Sequence, residues 1–232
     1  YHWACDRFHR FVLQGMIDNA TYASQSRASG VLYYPYMETE VGAVESLFAQ
    51  LVHRSKVVIT DDYPCFFLPT VIQAAAKRFA VLFEAIDSNG IIPMSVPDRV
   101  FSMANFFRRW LQKNLRPFLD LDAFPQPQPL KGLRLPTYRL PQEIEERFPS
   151  TLASIKNGDE FVAALPINHD VAISPIPGGS NAAQQRLAEF IATGLPRYAE
   201  RNQPDSQAAS GLSPYLHFGH IGAHRIVREC LS

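Results

Sequence analysis

The sequence predicts an α/β fold that is built on a parallel sheet. Two observations support this prediction. Stretches with apolar residues at helical spacing alternate with short β-branched or aromatic runs, and those runs are nearly all apolar. Almost continuously apolar strands are typical of a parallel sheet that helices cover on both faces. We therefore expect a Rossmann-like α/β domain at residues 1–116.

The elements of this domain follow from the spacing of its apolar residues. Helices are predicted where such residues recur every three or four positions, at residues 6–23, 41–54 and 66–79. Strands are predicted at the short apolar runs, at residues 31–34, 56–60 and 80–86, with an edge piece at 91–94.

Proline and glycine mark the boundary of the domain. They are dense in residues 117–180, which we expect to form a linker with short helices at 142–148 and 159–165. These residues include Pro125, Pro127, Pro129, Pro136, Pro175, Pro177, Gly178 and Gly179. A helix capped by Asn181 is predicted at 181–194 and opens an all-α segment at residues 181–232.

Composition excludes several classes of protein. The formal net charge is zero, so the basic excess of a nucleic-acid-binding protein is absent at the level of the whole chain. Cys5, Cys65 and Cys230 form neither a CxxC pair nor a zinc spacing, which favours a reduced, cytoplasmic protein. Apolar runs are too short to cross a bilayer. The chain starts at Tyr1 without a signal pattern, and we expect it to begin within a domain.

Residues 210–221, with the sequence SGLSPYLHFGHI, are the clearest candidate site. Ser213 is predicted to cap a helix, and Pro214 then occupies the first helical position, where its missing N–H costs nothing. Gly211 has no side chain, so a ligand can approach the backbone there. The hydroxyls of Ser210 and Ser213 lie beside the positive end of the predicted helix. This combination favours an anion, most commonly phosphate. The predicted helix continues through Gly219, Gly222 and Ala223, which would share one face that could accommodate a neighbouring helix.

Residues 210–221 resemble the flavin-phosphate motif of the DNA photolyase and cryptochrome family, and their sequence is most similar to that of class II cyclobutane pyrimidine dimer photolyases. The resemblance implies that the loop and the helix start hold the diphosphate of FAD. It assigns a cofactor-binding role to Tyr198, Ala209, Ser210, Gly211, Leu212 and Ser213. Residues 181–232 would then be the start of a helical FAD-binding domain.

The resemblance also implies an activity. Reduced FAD would donate an electron, under light, to a cyclobutane pyrimidine dimer in UV-damaged DNA. A deazaflavin or folate antenna chromophore is a further expected cofactor. The alternatives are a cryptochrome-like flavin photosensor without repair activity, and an unrelated Rossmann-like binding domain with a chance serine loop.

The sequence departs from the family pattern in three places. Many photolyases outside class II have threonine, serine and arginine where this chain has Ala209, Ser210 and Gly211, so phosphate charge must be neutralised from elsewhere. The first strand of the family's α/β domain has no counterpart here, and its absence would expose an apolar edge for strand pairing with a partner. The remaining family helices would follow Ser232, so we expect the chain alone to be inactive and assign no catalytic residue.

The chain offers three secondary candidates. His217, His220 and His224 have a spacing that could chelate a metal, but packing and flavin-site hydrogen bonds are the favoured interpretation. Four polar residues follow predicted strands and suit either an antenna ligand or ordinary turns, namely Asp61, Asp62, Asp87 and Asn89.

The third candidate is the predicted helix at residues 102–119. It carries basic residues between aromatic ones, a pattern that could face nucleic acid. An amphipathic helix with Phe106, Trp110 and Leu111 facing a core is the favoured alternative.

Overall fold

A computed structural model of the protein describes residues 3–25, 30–119, 136–155 and 159–232. The chain divides into two compact units. The first comprises described residues of 1–48 and 127–221, and the second comprises those of 49–126 and 222–232. The division into 1–116, 117–180 and 181–232 stays a prediction. In the described ranges, none of the helices combines the length and apolar character that a membrane span requires.

Helices dominate the part of the chain that the structure describes. The α-helices are α1 (Asp6–Gln25), α2 (Ala43–Val52), α3 (Leu68–Arg78), α4 (Ala104–Asn114), α5 (Gln142–Arg147), α6 (Leu152–Ile155), α7 (Asp159–Ala163), α8 (Ser180–Glu189), α9 (Ser213–His217) and α10 (Ala223–Leu231). The strands are β1 (Val57–Asp61) and β2 (Leu82–Ile86). A π-helical turn, Phe190–Gly194, and two 3₁₀ segments, Arg116–Phe118 and Leu195–Glu200, complete the helical set.

The second unit contains the sheet. β1 and β2 pair in parallel, with Val57 opposite Leu82 and Asp61 opposite Ile86, and α3 connects them. This confirms the α/β class and the parallel pairing. The expected cover on both faces is wrong, because Ile59 is 63% exposed and Leu82 is 59% exposed. A sheet of two short strands is too narrow for its connecting helix to enclose both faces.

The first unit is organised around α1. Leu13 of this helix forms a buried cluster with Ile155 of α6 and Val162 of α7. Each such side chain contributes about 1.5–3 kcal/mol when it is fully buried. The apolar spacing along residues 6–23 predicted α1 correctly, and the helix extends two residues further to Gln25.

The strand predicted at residues 31–34 is wrong. The segment is not a strand, because it bonds to the turn that precedes α6 instead of to a neighbouring strand. The Tyr34 hydroxyl donates to the Phe148 carbonyl at 2.6 Å, and the Thr151 N–H donates to the Pro35 carbonyl at 3.0 Å. The edge piece predicted at 91–94 is likewise a turn rather than a strand.

The helix predicted at residues 102–119 is α4, and it does not face a core. The favoured alternative placed Phe106 in a core, which is wrong, because this side chain is 44% exposed and α4 has no buried residue.

The linker is described in part. Of its prolines, Pro125, Pro127 and Pro129 lie outside the described residues. The described linker residues include the short helices α5 and α7, close to their predicted positions.

Gly178 and Gly179, which immediately precede α8, pack closely against α1. The Gly178 N–H donates to Gln14 Oε1 at 2.5 Å. A Cβ on Gly178 would collide with the carbonyl oxygen of Phe11 and lie 2.9 Å from its carbonyl carbon. The colliding atoms belong to the backbone of a helix, so they cannot rotate away. Gly178 is therefore required for α8 to begin this close to α1.

Replacing Gly178 by alanine should lower the free energy of unfolding by about 1–3 kcal/mol, because the new methyl group forces the two backbones apart. Gly222→Ser is the matched control, since nothing lies within 4 Å of a Cβ there and serine is a favourable helix cap. Urea denaturation followed by circular dichroism measures both variants. Equal midpoints for the two would contradict the tight contact.

Candidate functional site

The serine loop, residues 209–213, leads directly into α9. Ser213 is the first residue of that helix, and Leu212 occupies the cap position without a side-chain cap, so the prediction that Ser213 caps the helix is wrong. Ser210 Oγ instead accepts the Leu212 N–H at 3.3 Å, a bond within the loop that does not cap the helix. Gly211 has φ +67°, a left-handed conformation that side chains other than hydrogen disfavour. The loop is thus a tight turn that Ser210 closes locally.

Burial in the loop is uneven. Leu212 is 1% exposed and anchors the loop in the unit, whereas Ala209, Gly211 and Ser213 are exposed and Ser210 is half-buried. One side of the turn therefore packs against protein while the other faces solvent. The backbone on the open side of the loop, at Gly211 and Ser213, is therefore accessible to a ligand from solvent.

The helix after the loop is shorter than the sequence suggested. α9 ends at His217, and Gly219 turns the chain with φ +69°. The His220 N–H then donates to the Tyr215 carbonyl at 2.8 Å. The glycine at 219 is what stops the helix, because its left-handed conformation cannot continue a right-handed one.

Two expectations fail for this reason. Gly219, Gly222 and Ala223 do not share a helix face, and neither do His217, His220 and His224, since α10 begins only at Ala223. Within the described residues there is no group of three His, Cys, Asp or Glu side chains that could hold a metal ion.

Arg186 of α8 contacts the serine loop from its packed side, and no pattern in the sequence predicted this contact. Its Nε donates to the Ser210 carbonyl at 2.7 Å, and its Nη2 donates to the Ala209 carbonyl at 3.1 Å. A Cβ on Gly211 would lie 2.9 Å from Nε. The residues are 24 positions apart, so no local spacing reports the contact. The loop has no charged side chain of its own, so the charge of a bound phosphate would have to be neutralised from elsewhere. Arg186 is a cation outside the loop that contacts it.

Tyr198, the other predicted site residue, lies in the 3₁₀ segment after α8. Its ring is 42% exposed and meets Phe190 edge-on, with the ring centroids 5.6 Å apart. The guanidinium of Arg201 lies 4.5 Å from the Tyr198 ring centroid. A Cβ on Gly194 would lie 2.7 Å from Phe190 and 3.4 Å from the Ala208 carbonyl. Phe190 thus contacts Tyr198, and Gly194 lies close to Phe190 and to Ala208, the residue before the serine loop.

His220 connects the end of this motif to α1 and α8. Its Nδ1 accepts the Gly179 N–H at 2.9 Å, and its ring stacks on Phe11 with the centroids 4.8 Å apart. Burial lowers the pKa of His220 below 6.5, and the negative charge of Asp18 opposes this shift. The neutral imidazole is the form that the site needs, because a protonated Nδ1 could not accept the Gly179 hydrogen bond.

Comparison with known proteins gives two related sequences. The chain is 23% identical over 223 residues to the deoxyribodipyrimidine photo-lyase of Methanothermobacter thermautotrophicus, which covers 94% of the chain and 44% of that protein. It is 35% identical over 69 residues to the deoxyribodipyrimidine photo-lyase of Potorous tridactylus, which covers 29% of the chain and 13% of that protein. The chain is similar to proteins of the photolyase/cryptochrome family.

The similarity to the photolyase/cryptochrome family has a defined extent. The chain spans less than half the length of the curated relatives that it matches. No family model matches it. The similarity therefore describes this stretch of sequence, and the activity of the whole protein is a proposal.

The second candidate site lies at the carboxyl ends of β1 and β2. Ser88 Oγ donates to Asp61 Oδ1 at 2.9 Å, and Asn89 Nδ2 donates to the Asp62 carbonyl at 2.8 Å. Asp87 accepts the backbone N–H of Asn89 at 3.3 Å. These are the bonds of ordinary polar turns, the simpler of the two alternatives for these residues. An antenna ligand here stays a prediction.

Two histidines should give opposite pH dependences of stability. The pKa of His220 is lowered by burial, so the stability that its neutral form provides is complete above 6.5 and is lost as the pH falls below 6.5. His220→Gln should therefore flatten the acid side of the stability profile. Melting temperatures measured one pH unit either side of 6.5 test this slope.

His169 is the matched comparison. Its Nδ1 donates to Asp6 at 2.7 Å, and the hydrogen bond to this carboxylate is the main cause of its raised pKa. The stability that it provides is present below 6.5 and is lost as the pH rises through the raised pKa. His169→Gln should flatten the alkaline side only. Identical slopes for the two variants would contradict both assignments.

Proposed function

We propose that the protein carrying this chain is a light-dependent DNA repair enzyme, a class II deoxyribodipyrimidine photo-lyase, and that the serine loop binds the diphosphate of its FAD. The observation that supports this most is the open side of the loop. Gly211 and Ser213 are exposed there while Leu212, between them, is 1% exposed. A loop that is anchored on one side and open on the other suits a charged ligand group.

The backbone of the loop favours an anion. Gly211 has a left-handed φ of +67°, and Leu212, the next residue, has φ −88° and ψ −7° in the right-handed helical region. A left-handed residue beside a right-handed one turns successive N–H groups toward the same point, which is how backbone nests bind phosphate. The N–H groups of the loop, other than that of Leu212, which bonds to Ser210 Oγ, are the donors that we propose for the diphosphate.

The two hydroxyls add to these donors. Ser210 Oγ accepts the Leu212 N–H at 3.3 Å, which uses a lone pair and leaves the hydroxyl proton for donation. Ser213 is exposed at the first position of α9. Both hydroxyls can donate to phosphate oxygens, while Tyr198 is proposed as the remaining contact to this part of the cofactor. FAD, when bound and reduced, would supply the light-driven electron that splits a cyclobutane pyrimidine dimer.

The proposed substrate is UV-damaged DNA, because both relatives are named deoxyribodipyrimidine photo-lyase. A deazaflavin or folate antenna chromophore is a further proposal on the same ground. Repair of a dimer-containing oligonucleotide by the natural protein, under blue light and against a dark control, tests the activity. Flavin binding without light-dependent repair would favour a cryptochrome-like photosensor instead.

Gly211→Ala should weaken FAD binding by the natural protein about tenfold or more, because a left-handed alanine is strained and its Cβ presses on Arg186. Isothermal titration with FAD gives the affinity. The control is Gly42→Ala, which has the same kind of strain at φ +89° with nothing within 4 Å. No FAD binding by the unmodified protein, or equal losses in both variants, would contradict the proposed cofactor site.

A further inference from the structure

The serine loop has no charged residue of its own. Its residues are Ala209, Ser210, Gly211, Leu212 and Ser213. A diphosphate bridge carries two negative charges at neutral pH, and α9, with five residues, is too short to provide a strong helix dipole. Some other group close to the loop must compensate the charge of such a ligand.

We propose that Arg186 is the positioning residue of the serine loop and the source of its compensating positive charge. This proposal rests on the proposed function, the binding of a flavin diphosphate at the loop. Arg186 lies in the last turn of α8, so its Cα belongs to a regular helix rather than to the loop that it supports. Its side chain joins that helix to two consecutive carbonyls, at 2.7 Å from Ser210 and 3.1 Å from Ala209.

These two hydrogen bonds determine where the loop's donors point. A trans peptide unit is planar, and its N–H points away from its C=O. The peptide bonds at this loop are trans. When the Ala209 and Ser210 carbonyls turn toward Arg186, the N–H groups of Ser210 and Gly211 are directed to the opposite side. Arg186 thus presents two backbone donors to a ligand without touching it.

The fork of a guanidinium suits this role better than an ammonium group does. Nε and Nη2 lie on the same edge of the planar group and reach adjacent acceptors in a fixed geometry. A carbonyl that accepts from a cation also polarises its own peptide unit, which makes the attached N–H a stronger donor. Arginine at 186 therefore fixes the direction of the loop's donors and raises their strength.

Glu189, one turn along α8, opposes the positive charge. Its Oε2 lies 3.4 Å from Arg186 Nη1, and the two side chains are 51% and 37% exposed. An exposed pair of this kind is only weakly coupled. Its carboxylate nevertheless adds a negative charge beside the loop, so its removal should favour an anionic ligand. Removing Glu189 should therefore strengthen the binding of an anionic ligand, whereas removing Arg186 should weaken it.

The test compares FAD with riboflavin, which has no phosphate, on the natural protein. R186Q should weaken FAD binding about tenfold to a hundredfold and riboflavin binding by less than about twofold, because only FAD presents phosphate to the loop. R186K should lie between R186Q and the unmodified protein, since lysine keeps the charge but loses the fork. E189Q should bind FAD about twofold more tightly. R225Q, which removes an exposed arginine paired with Glu229 on α10, is the control and should change neither affinity.

The dependence of FAD affinity on ionic strength is the second readout, and its slope should be smaller in R186Q than in the unmodified protein. Unchanged FAD binding by R186Q, or parallel losses of FAD and riboflavin affinity, would overturn the proposal. If R186Q does not fold, R186K and E189Q decide the question, and weaker or unchanged FAD binding by E189Q would count against it. Absence of FAD binding by the unmodified protein would instead refute the proposed function itself.

Discussion

The hydrogen bond from the Gly179 N–H to His220 Nδ1, at 2.9 Å, is the contact on which the first unit depends. It lies where α1, the start of α8 and the end of the α9 motif meet. Asp18 of α1 accepts the Asn181 N–H at 2.9 Å and thereby fixes the first turn of α8. α8 in turn places Arg186 beneath the serine loop. The loop is therefore positioned by a closed series of contacts that begins and ends at α1.

Much of the regular structure follows from local patterns in the sequence. α1 and α3 were predictable because their apolar residues recur at helical spacing, and the β1–α3–β2 order gave the parallel pairing. The structure of the segment at 31–34 was not predictable in this way, because an apolar and aromatic run forms a strand only if another strand pairs with it. Here the Tyr34 hydroxyl bonds to the Phe148 carbonyl, a contact between residues 114 positions apart.

The candidate site was likewise predictable from the sequence only in part. The motif predicted a loop at Ser210, Gly211 and Leu212 that leads into a helix, and the structure has a tight turn there. Sequence reasoning assigned a helix-capping role to Ser213, but in the structure Leu212 occupies the cap position without a side-chain cap, and Ser210 bonds within the loop. It missed Arg186 because a long side chain reaching a backbone carbonyl leaves no periodic signal. It also extended α9 through Gly219, whose positive φ ends the helix.

The central claim is that the open side of the serine loop binds a diphosphate. The most direct measurement is a nuclear magnetic resonance titration of the natural protein with ADP, the smallest ligand that carries the diphosphate of FAD. The account predicts that the backbone amide resonances of residues 210–213 shift together and saturably, with the side-chain Nε resonance of Arg186 shifting over the same range. Saturable shifts confined to residues elsewhere in the chain, with the resonances of 210–213 unmoved, would contradict it.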